Sequence, residues 1–189
     1  MKNSILIIFI VFFNCTSQAQ STKEVLIQRD GFFSTATLGT NFLNREAAVS
    51  LHYMKGYFIK PTFAVGIATG VNMYSIERTA YAFIPVFGQL RFYPIQKKLS
   101  PYMALDAGWG IPFVWFPPRI NKEDDGGYLI RPKLGLQINT KTKYAFNLEL
   151  DYTFQKTEGN YRVNRGGVFV NEYESVLFQR LAFNFGILF

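Results

Sequence analysis

The sequence predicts an all-β protein, an eight-stranded antiparallel up-and-down transmembrane β-barrel of a bacterial outer membrane. Three observations predict it: an export signal at the N-terminus, hydrophobicity that repeats at every second residue, and a 17% aromatic content with 20 Phe and 11 Tyr. Alternation of this period gives a strand one apolar face. A barrel in a membrane turns that face outward and flanks it with aromatic side chains, whose rings meet acyl chains and headgroups together.

The first residues have the three parts of a secretory signal peptide. Lys2 supplies a positive charge, an apolar run begins at Ile5, and Ala19 ends a cleavage site of small residues. The chain is long enough for one domain after this signal. We therefore predict a cleaved signal peptide at residues 1–19, a short N-terminal periplasmic segment at 20–31 and an outer-membrane β-barrel at 32–189.

Two alternatives exist for this N-terminus. A membrane helix needs roughly 20 apolar residues, about twice the length of the run. Lipidation of Cys15 is the other alternative, but the polar Asn14 stands where lipoprotein signals place a small residue. Cleavage after Ala19 removes the single cysteine, so the mature chain would have no disulfide and no cysteine-based metal or nucleophilic site.

The charge of the chain indicates its partners only in broad terms. The net charge of +7 falls to +6 once Lys2 leaves with the signal peptide. The basic residues are scattered through predicted turns and strands and form no patch for nucleic acid, so we expect no nucleic-acid partner. The expected surroundings of this exported basic chain are outer-membrane lipid and phosphate-rich lipopolysaccharide.

Eight segments are long enough to cross a membrane as tilted strands, which takes about 9 to 11 residues. The predicted strands are residues 32–43, 47–58, 62–75, 80–93, 101–113, 127–139, 143–156 and 175–189. Connections after the second, fourth and sixth strands are short, whereas those after the fifth and seventh are long. The predicted short turns are residues 59–61, 94–100 and 140–142, and the predicted long loops are 114–126 and 157–174. With both termini in the periplasm, the short turns are periplasmic and the long loops face outward.

The alternation is clearest in residues 144–154. One face is apolar or aromatic and the other polar or small; the two faces are Tyr144, Phe146, Leu148, Leu150, Tyr152, Phe154 and Ala145, Asn147, Glu149, Asp151, Thr153. A soluble β-sandwich would alternate in the same way with its apolar face turned inward. The abundance of aromatic residues favours the membrane barrel.

The final strand carries the strongest local signal. Leu181, Phe183, Phe185, Ile187 and the terminal Phe189 share one face. This pattern resembles the C-terminal signature by which the barrel-assembly machinery recognises outer-membrane barrels. The alternative is an ordinary amphipathic strand that ends the chain.

Three prolines interrupt the predicted strands. Pro85, Pro112 and Pro132 each lack the N–H that a strand donates to its neighbour, and a closed barrel has no free edge where that loss is harmless. We expect bulges or strand ends at these positions.

Three stretches, residues 56–70, 85–93 and 100–110, resemble the small outer-membrane β-barrel domain family, OmpA/OmpX-like in architecture. The similarity lies in the pattern of glycines, aromatic residues and turns and covers most of the mature chain. It implies an eight-stranded barrel in the outer membrane of a Gram-negative bacterium. That family shares no catalytic residues, so the resemblance assigns no site.

Charged side chains on the inferred inward faces form the first candidate site. These residues are His52, Arg91, Asp106, Arg131, Lys133, Glu149, Asp151 and Arg180. An eight-stranded barrel is just wide enough for its own side chains, so these charges must pair and fill the lumen. A narrow conduction path is the alternative.

Enzyme chemistry has weaker support in the sequence. His52 is the single histidine, and Ser50 lies two residues away on the same inward face. Eight-stranded lipid A deacylases resemble this arrangement, but they carry adjacent His and Ser on a lipid-accessible face. No carboxylate orients the pair as in a triad. Residues 122–125 lack the ligand spacing of a calcium loop. We expect no catalytic site, metal or cofactor.

The long loop at 157–174 is the second candidate site. Tyr161, Arg162, Arg165, Phe169 and Tyr173 are of the types found at protein-binding hot spots. The sequence therefore predicts a non-enzymatic outer-membrane barrel with a plugged lumen, which has a structural or interaction role through its outward loops and possible protein partners in the envelope. The alternatives are a small pore and a lipid-modifying enzyme.

Overall fold

The computed structural model describes residues 30–41, 48–76, 79–116, 122–165 and 168–189. The predicted signal peptide therefore lies outside the described residues. No helix in the described part of the chain is long and apolar enough to cross a membrane.

Eight antiparallel strands follow one another around a closed barrel, which confirms the predicted fold. The strands are β1 (Gly31–Asn41), β2 (Ala48–Lys60), β3 (Phe63–Ile76), β4 (Thr79–Phe92), β5 (Leu99–Phe116), β6 (Lys122–Asn139), β7 (Ala145–Arg165) and β8 (Val168–Leu188). Each strand pairs with the next along the chain. The C-terminal strand β8 also pairs with β1, from Thr35–Leu188 to Asn41–Ala182, and so closes the wall.

The two ends of the barrel differ. The end that carries Asp30 and Phe189 also carries the connections at 61–62, 93–98 and 140–144, and we call it the turn end. The opposite end, where β1 leads into β2, β3 into β4, β5 into β6 and β7 into β8, is called the hairpin end. Three predicted short turns lie at the turn end, close to their predicted positions.

The prediction of long loops at 114–126 and 157–174 is wrong. Strand β5 continues to Phe116 and β6 begins at Lys122, while β7 and β8 remain paired up to Arg165–Val168. Polar and charged residues occur on both faces of residues 122–126 and 157–165, whereas residues 114–116 are apolar on both faces. None of these stretches has one apolar and one polar face. Strands were predicted from the alternation of apolar and polar residues. Strand residues that do not alternate were therefore predicted to be loops.

The hairpin end is not paired all the way around. Pairing between β5 and β6 stops at Gly110–Gly127, although both strands continue beyond it. Pairing between β8 and β1 stops at Asn41–Ala182, so residues 168–181 of β8 pair only with β7 within the described chain.

The three prolines behave differently from one another. A bulge lies beside Pro112, because Ala82 pairs with Val114 whereas the next residue, Phe83, pairs with Pro112. The bulge predicted at Pro112 is confirmed, and Phe113 is the extra residue.

The same prediction is wrong for Pro85 and Pro132. Pro85 pairs with Gly110, and Pro132 pairs with Leu105. Towards its other neighbouring strand, β3 for Pro85 and β7 for Pro132, each proline lies in a short gap in the pairing. The register is the same before and after this gap. The missing N–H is therefore accommodated by a local loss of pairing that does not shift the strand.

The apolar face of the wall points away from the interior. On β8, Phe183, Phe185 and Ile187 are 37–44% exposed, whereas Asn184 on the opposite face is 1% exposed. A water-soluble barrel would have the reverse arrangement. The outward face is therefore a lipid-facing belt, and polar groups fill the inside.

Inward glycines make room for rings directly across the strand pairs. Rings and glycines are opposed in the pairs Phe33–Gly56, His52–Gly70, Phe87–Gly108 and Tyr102–Gly135. A Cβ atom on Gly108 would lie 2.1 Å from the Val86 carbonyl oxygen and 2.6 Å from Phe87 Cβ. The two strands approach too closely there for any side chain.

We predict that Gly108→Ala lowers the free energy of unfolding by about 1–3 kcal/mol, because the added methyl group must push the paired strands apart. Urea unfolding in lipid vesicles, followed by tryptophan fluorescence, measures this. Gly88→Ala on the neighbouring rung is the control, since its Cβ would meet nothing closer than 3.9 Å. Equal losses in the two variants would contradict the close approach at Gly108.

Candidate functional site

All eight side chains of the first candidate site lie inside the barrel, and each is at most 6% exposed. They come from six strands, β2, β4, β5, β6, β7 and β8. In each strand they occupy positions whose side chains point into the barrel. Their charges are four cations, three carboxylates and one histidine. Burial of so many charges is stable only where they meet partners of opposite charge.

Glu149 on β7 is the most connected carboxylate. Its Oε1 accepts hydrogen bonds from Tyr102 Oη at 2.5 Å and from Arg91 at 3.3 Å, and its Oε2 accepts one from Lys133 Nζ at 3.1 Å. The four groups come from four strands, so the carboxylate joins β4, β5, β6 and β7 across the lumen.

Asp106 on β5 is the second centre. Its Oδ2 accepts from Arg131 Nε at 2.9 Å and lies 3.1 Å from Lys133 Nζ, while its Oδ1 accepts from Gln89 Nε2 at 2.6 Å. Lys133 contacts both carboxylates, so Asp106, Lys133 and Glu149 form one continuous ion network. We call it the interior network.

The hydrogen bonds of Asp151 come from neutral donors, although its charge also acts on Arg131. Thr153 Oγ1 donates to Asp151 at 3.0 Å and Asn184 Nδ2 at 2.5 Å. Arg180 lies near the hairpin end, where its guanidinium carbon is 4.9 Å from the centre of the Tyr74 ring.

Neutral polar residues of the interior were missed by a search for charges. Gln89 Oε1 accepts from Arg91, and Tyr93 Oη donates to Gln137 Oε1 at 2.8 Å. Gln137 in turn donates to Asn139 at 2.7 Å. Their inward position in the two-residue alternation was the signal that could have found them.

Aromatic side chains close both ends of the charged region. Towards the turn end, Phe33, Phe58, Tyr93 and Tyr102 are buried together, and the centroids of the Tyr93 and Tyr102 rings are 5.1 Å apart. Towards the hairpin end, the rings of Tyr74, Phe83 and Phe178 are buried in mutual contact with centroids 5.4–5.7 Å apart.

Little open space remains between these layers. A cavity of about 10 Å³ lies beside His52, Gln89, Arg91 and Lys133. That volume is about what one water molecule needs. At this point of the lumen the described side chains therefore leave room for about one water molecule.

His52 is held as part of this interior. Its Nε2 lies 2.7 Å from Asn72 Oδ1, and its ring meets the Phe87 ring edge to face with centroids 5.5 Å apart. Arg131 is 3.5 Å away. Within the described chain no hydrogen bond joins it to Ser50, and no three acidic, His or Cys side chains lie where they could hold a metal ion.

The second candidate site lies on strands and not on a loop. Tyr161, Arg162 and Arg165 belong to β7, and Phe169 and Tyr173 belong to β8. Tyr173 is 61% exposed; the side chains of the other four lie outside the described part. Residues 122–125 likewise belong to β6.

The C-terminal row lies on the outer face of β8. Phe183, Phe185, Ile187 and Phe189 are exposed and Leu181 is half-buried. The row is therefore part of the lipid-facing belt.

We predict that Glu149→Gln destabilises the barrel by about 3 kcal/mol, because Arg91 and Lys133 would lose the charge that neutralises them in the interior. Asp151→Asn is the matched control on the same strand. The hydrogen bonds of this carboxylate come from neutral donors, and Arg131, on which its charge acts, keeps its direct bond to Asp106, so the exchange should cost about 1 kcal/mol. Urea midpoints in lipid vesicles compare the two variants. A loss at Asp151 as large as that at Glu149 would show that the interior network is not the main polar support.

Comparison with known proteins finds similarity at the level of structure. No protein-family model matches the sequence, and no curated protein matches it. The crystal structure of the outer membrane protein OprG from Pseudomonas aeruginosa superposes with a TM-score of 0.62 at 12% identity over 88% of this chain and 99% of that one.

Two further structures agree. Outer membrane protein W of E. coli gives a TM-score of 0.55 at 14% identity, covering 86% of this chain and 98% of that one. Outer membrane protein AlkL, solved in lipid bilayers, gives 0.53 at 12% identity over 91% and 95%. With these likenesses, a closed wall and an apolar outer face, the chain has the fold of a small eight-stranded outer-membrane β-barrel.

Proposed function

We propose that the protein is a non-enzymatic integral outer-membrane barrel with a closed lumen, which acts as a structural or interaction protein through the strands of its hairpin end. The observation that carries the proposal is the interior network with its two aromatic layers, since it occupies the space that a pore would need. What remains available for contact with other molecules is the surface.

The hairpin end has features suited to binding. Strand β8 continues through residues 168–181 with one edge unpaired by any described residue. An exposed strand edge offers a row of backbone N–H and C=O groups to which another extended chain can pair. Tyr173 stands on this stretch with an exposed ring, a side-chain type common at binding hot spots.

A closed lumen predicts that the protein does not conduct ions. Purified wild-type protein in planar lipid bilayers should give no stable conductance steps, because side chains fill the centre of an eight-stranded barrel. A porin of 16 strands, measured in the same detergent and lipid, is the positive control. Reproducible unitary steps from protein with heat-modifiable gel mobility would favour the small-pore alternative.

The interaction role predicts position-dependent crosslinking. A photo-crosslinking residue in place of Tyr173 should capture an envelope protein in intact cells, whereas the same residue in place of Met103, which is exposed on the wall of β5, should not. The reason is that Met103 faces lipid.

A shortened hairpin provides the second arm of this experiment. Asn160 pairs with Tyr173, so removing residues 160–173 and joining Gly159 to Glu174 through a two-residue turn preserves the register. The shortened protein should keep its heat-modifiable mobility, and a crosslinking residue at Leu177 should capture the partner only in the full-length chain. Capture that persists in the shortened protein would show that residues 160–173, Tyr173 included, are not needed for the contact, and would contradict a binding role for the far part of the hairpin.

A further inference from the structure

The basic residues of the chain are distributed unevenly along the barrel axis. Six lysines lie on the outer face or in the connections of the turn end, and the acidic residue there among the described residues is Asp30. These lysines are Lys55, Lys60, Lys97, Lys98, Lys141 and Lys143.

The strands of the hairpin end have no such excess. Residues 122–126 of β6, 156–165 of β7 and 168–175 of β8 together carry four basic and six acidic residues. They are Lys122, Lys156, Arg162, Arg165 and Glu123, Asp124, Asp125, Glu158, Glu172, Glu174. Lys156 pairs with Glu158. Outside the barrel interior, the excess of basic over acidic residues in these strands and connections therefore lies at the turn end.

The lysines are arranged around the barrel and not on one side of it. Lys55 and Lys60 belong to the β2–β3 region, Lys97 and Lys98 to the β4–β5 connection, and Lys141 and Lys143 to the β6–β7 connection. All three connections of the turn end thus contribute. A protein bound to one side would meet only part of this ring, whereas a lipid leaflet surrounds the whole barrel.

Aromatic side chains lie between the lysines, as at a membrane interface. Lys55 is exposed in the outward row of β2 between Tyr53 and Tyr57, which are each 43% exposed. Lys143 Nζ lies 5.4 Å from the centre of the Tyr144 ring, which is 44% exposed. Lysine stems that lie along apolar surface while their ammonium groups reach the headgroup layer are typical of this depth.

We propose that this lysine ring binds the headgroups of anionic phospholipids in the leaflet at the turn end. Phosphodiester groups with net negative charge, as in phosphatidylglycerol, neutralise the ring, whereas zwitterionic phosphatidylcholine does so poorly. Asp30 and Phe189 lie at the turn end, while the strands of the opposite end extend beyond the closed wall as long hairpins. In the usual barrel orientation the leaflet at the turn end is therefore the periplasmic one. The proposal concerns the end opposite to the proposed interaction strands and does not depend on them.

Spin-label measurements test this directly. The protein is reconstituted in phosphatidylcholine vesicles, and the motionally restricted fraction is compared for spin-labelled phosphatidylglycerol and phosphatidylcholine. We expect wild-type protein to prefer phosphatidylglycerol by about two- to fivefold, the effect of about one lysine per headgroup. The preference should fall as NaCl is raised, because salt screens exposed charges.

Two variants with equal loss of charge locate the effect. The turn-end variant replaces Lys97, Lys98, Lys141 and Lys143 with Gln, and the hairpin-end variant replaces Lys122, Lys156, Arg162 and Arg165 with Gln. The turn-end variant should lose at least half of the excess over phosphatidylcholine, whereas the hairpin-end variant should retain the wild-type preference.

Folding is controlled independently of lipid binding. The hydrogen bonds of Lys97 with Ser100 and Asn139 use the Lys97 backbone, so Gln keeps them, and gel mobility before and after boiling verifies the fold of each variant. No preference in the wild type, an unchanged preference in the folded turn-end variant, or an equal loss in both variants would overturn the proposal.

Discussion

The structure depends on the closure of a hydrogen-bonded wall. In lipid no water can satisfy a backbone N–H or C=O group, so a sheet must close on itself. The contact that closes it is the pairing of β8 with β1, extended by the two backbone hydrogen bonds between Ser34 and Phe189 at 2.8 and 2.9 Å. Once the wall is closed, its outer face must be apolar and its narrow interior must be filled.

The filling of the interior follows from that geometry. Polar side chains point inward because the outward positions face lipid. Each buried charge must then be paired with an opposite charge or a hydrogen-bonding group within the lumen. Lys133 illustrates this, since it lies 3.1 Å from both Asp106 and Glu149 and so neutralises parts of two carboxylates. The glycines opposite Phe87 and Tyr102 provide the volume that these long and bulky side chains need.

The sequence predicted the features that follow from the alternation of apolar and polar residues along a strand. The first four strands lie within two residues of their predicted bounds. The alternation along β7 correctly placed Glu149 and Asp151 on its inward face. The prediction failed where alternation is absent. Residues 157–165 and 168–174 form paired strands because the backbones of β7 and β8 bond to each other, which the side-chain pattern of either segment does not show. The sequence also did not predict which charged residues form pairs. Arg91 and Glu149, for example, lie 58 positions apart in the chain and meet only across the closed lumen.

The β8–β1 pairing also has a consequence for the order in which the barrel forms. Every other strand pair joins sequence neighbours, whereas this one joins residues 35–41 to residues 182–188. Its loop-closure entropy is the largest in the molecule, and its ladder is among the shortest. Formation of this ladder is therefore the expected slow step of assembly, and the same line is where the wall would first come apart under load.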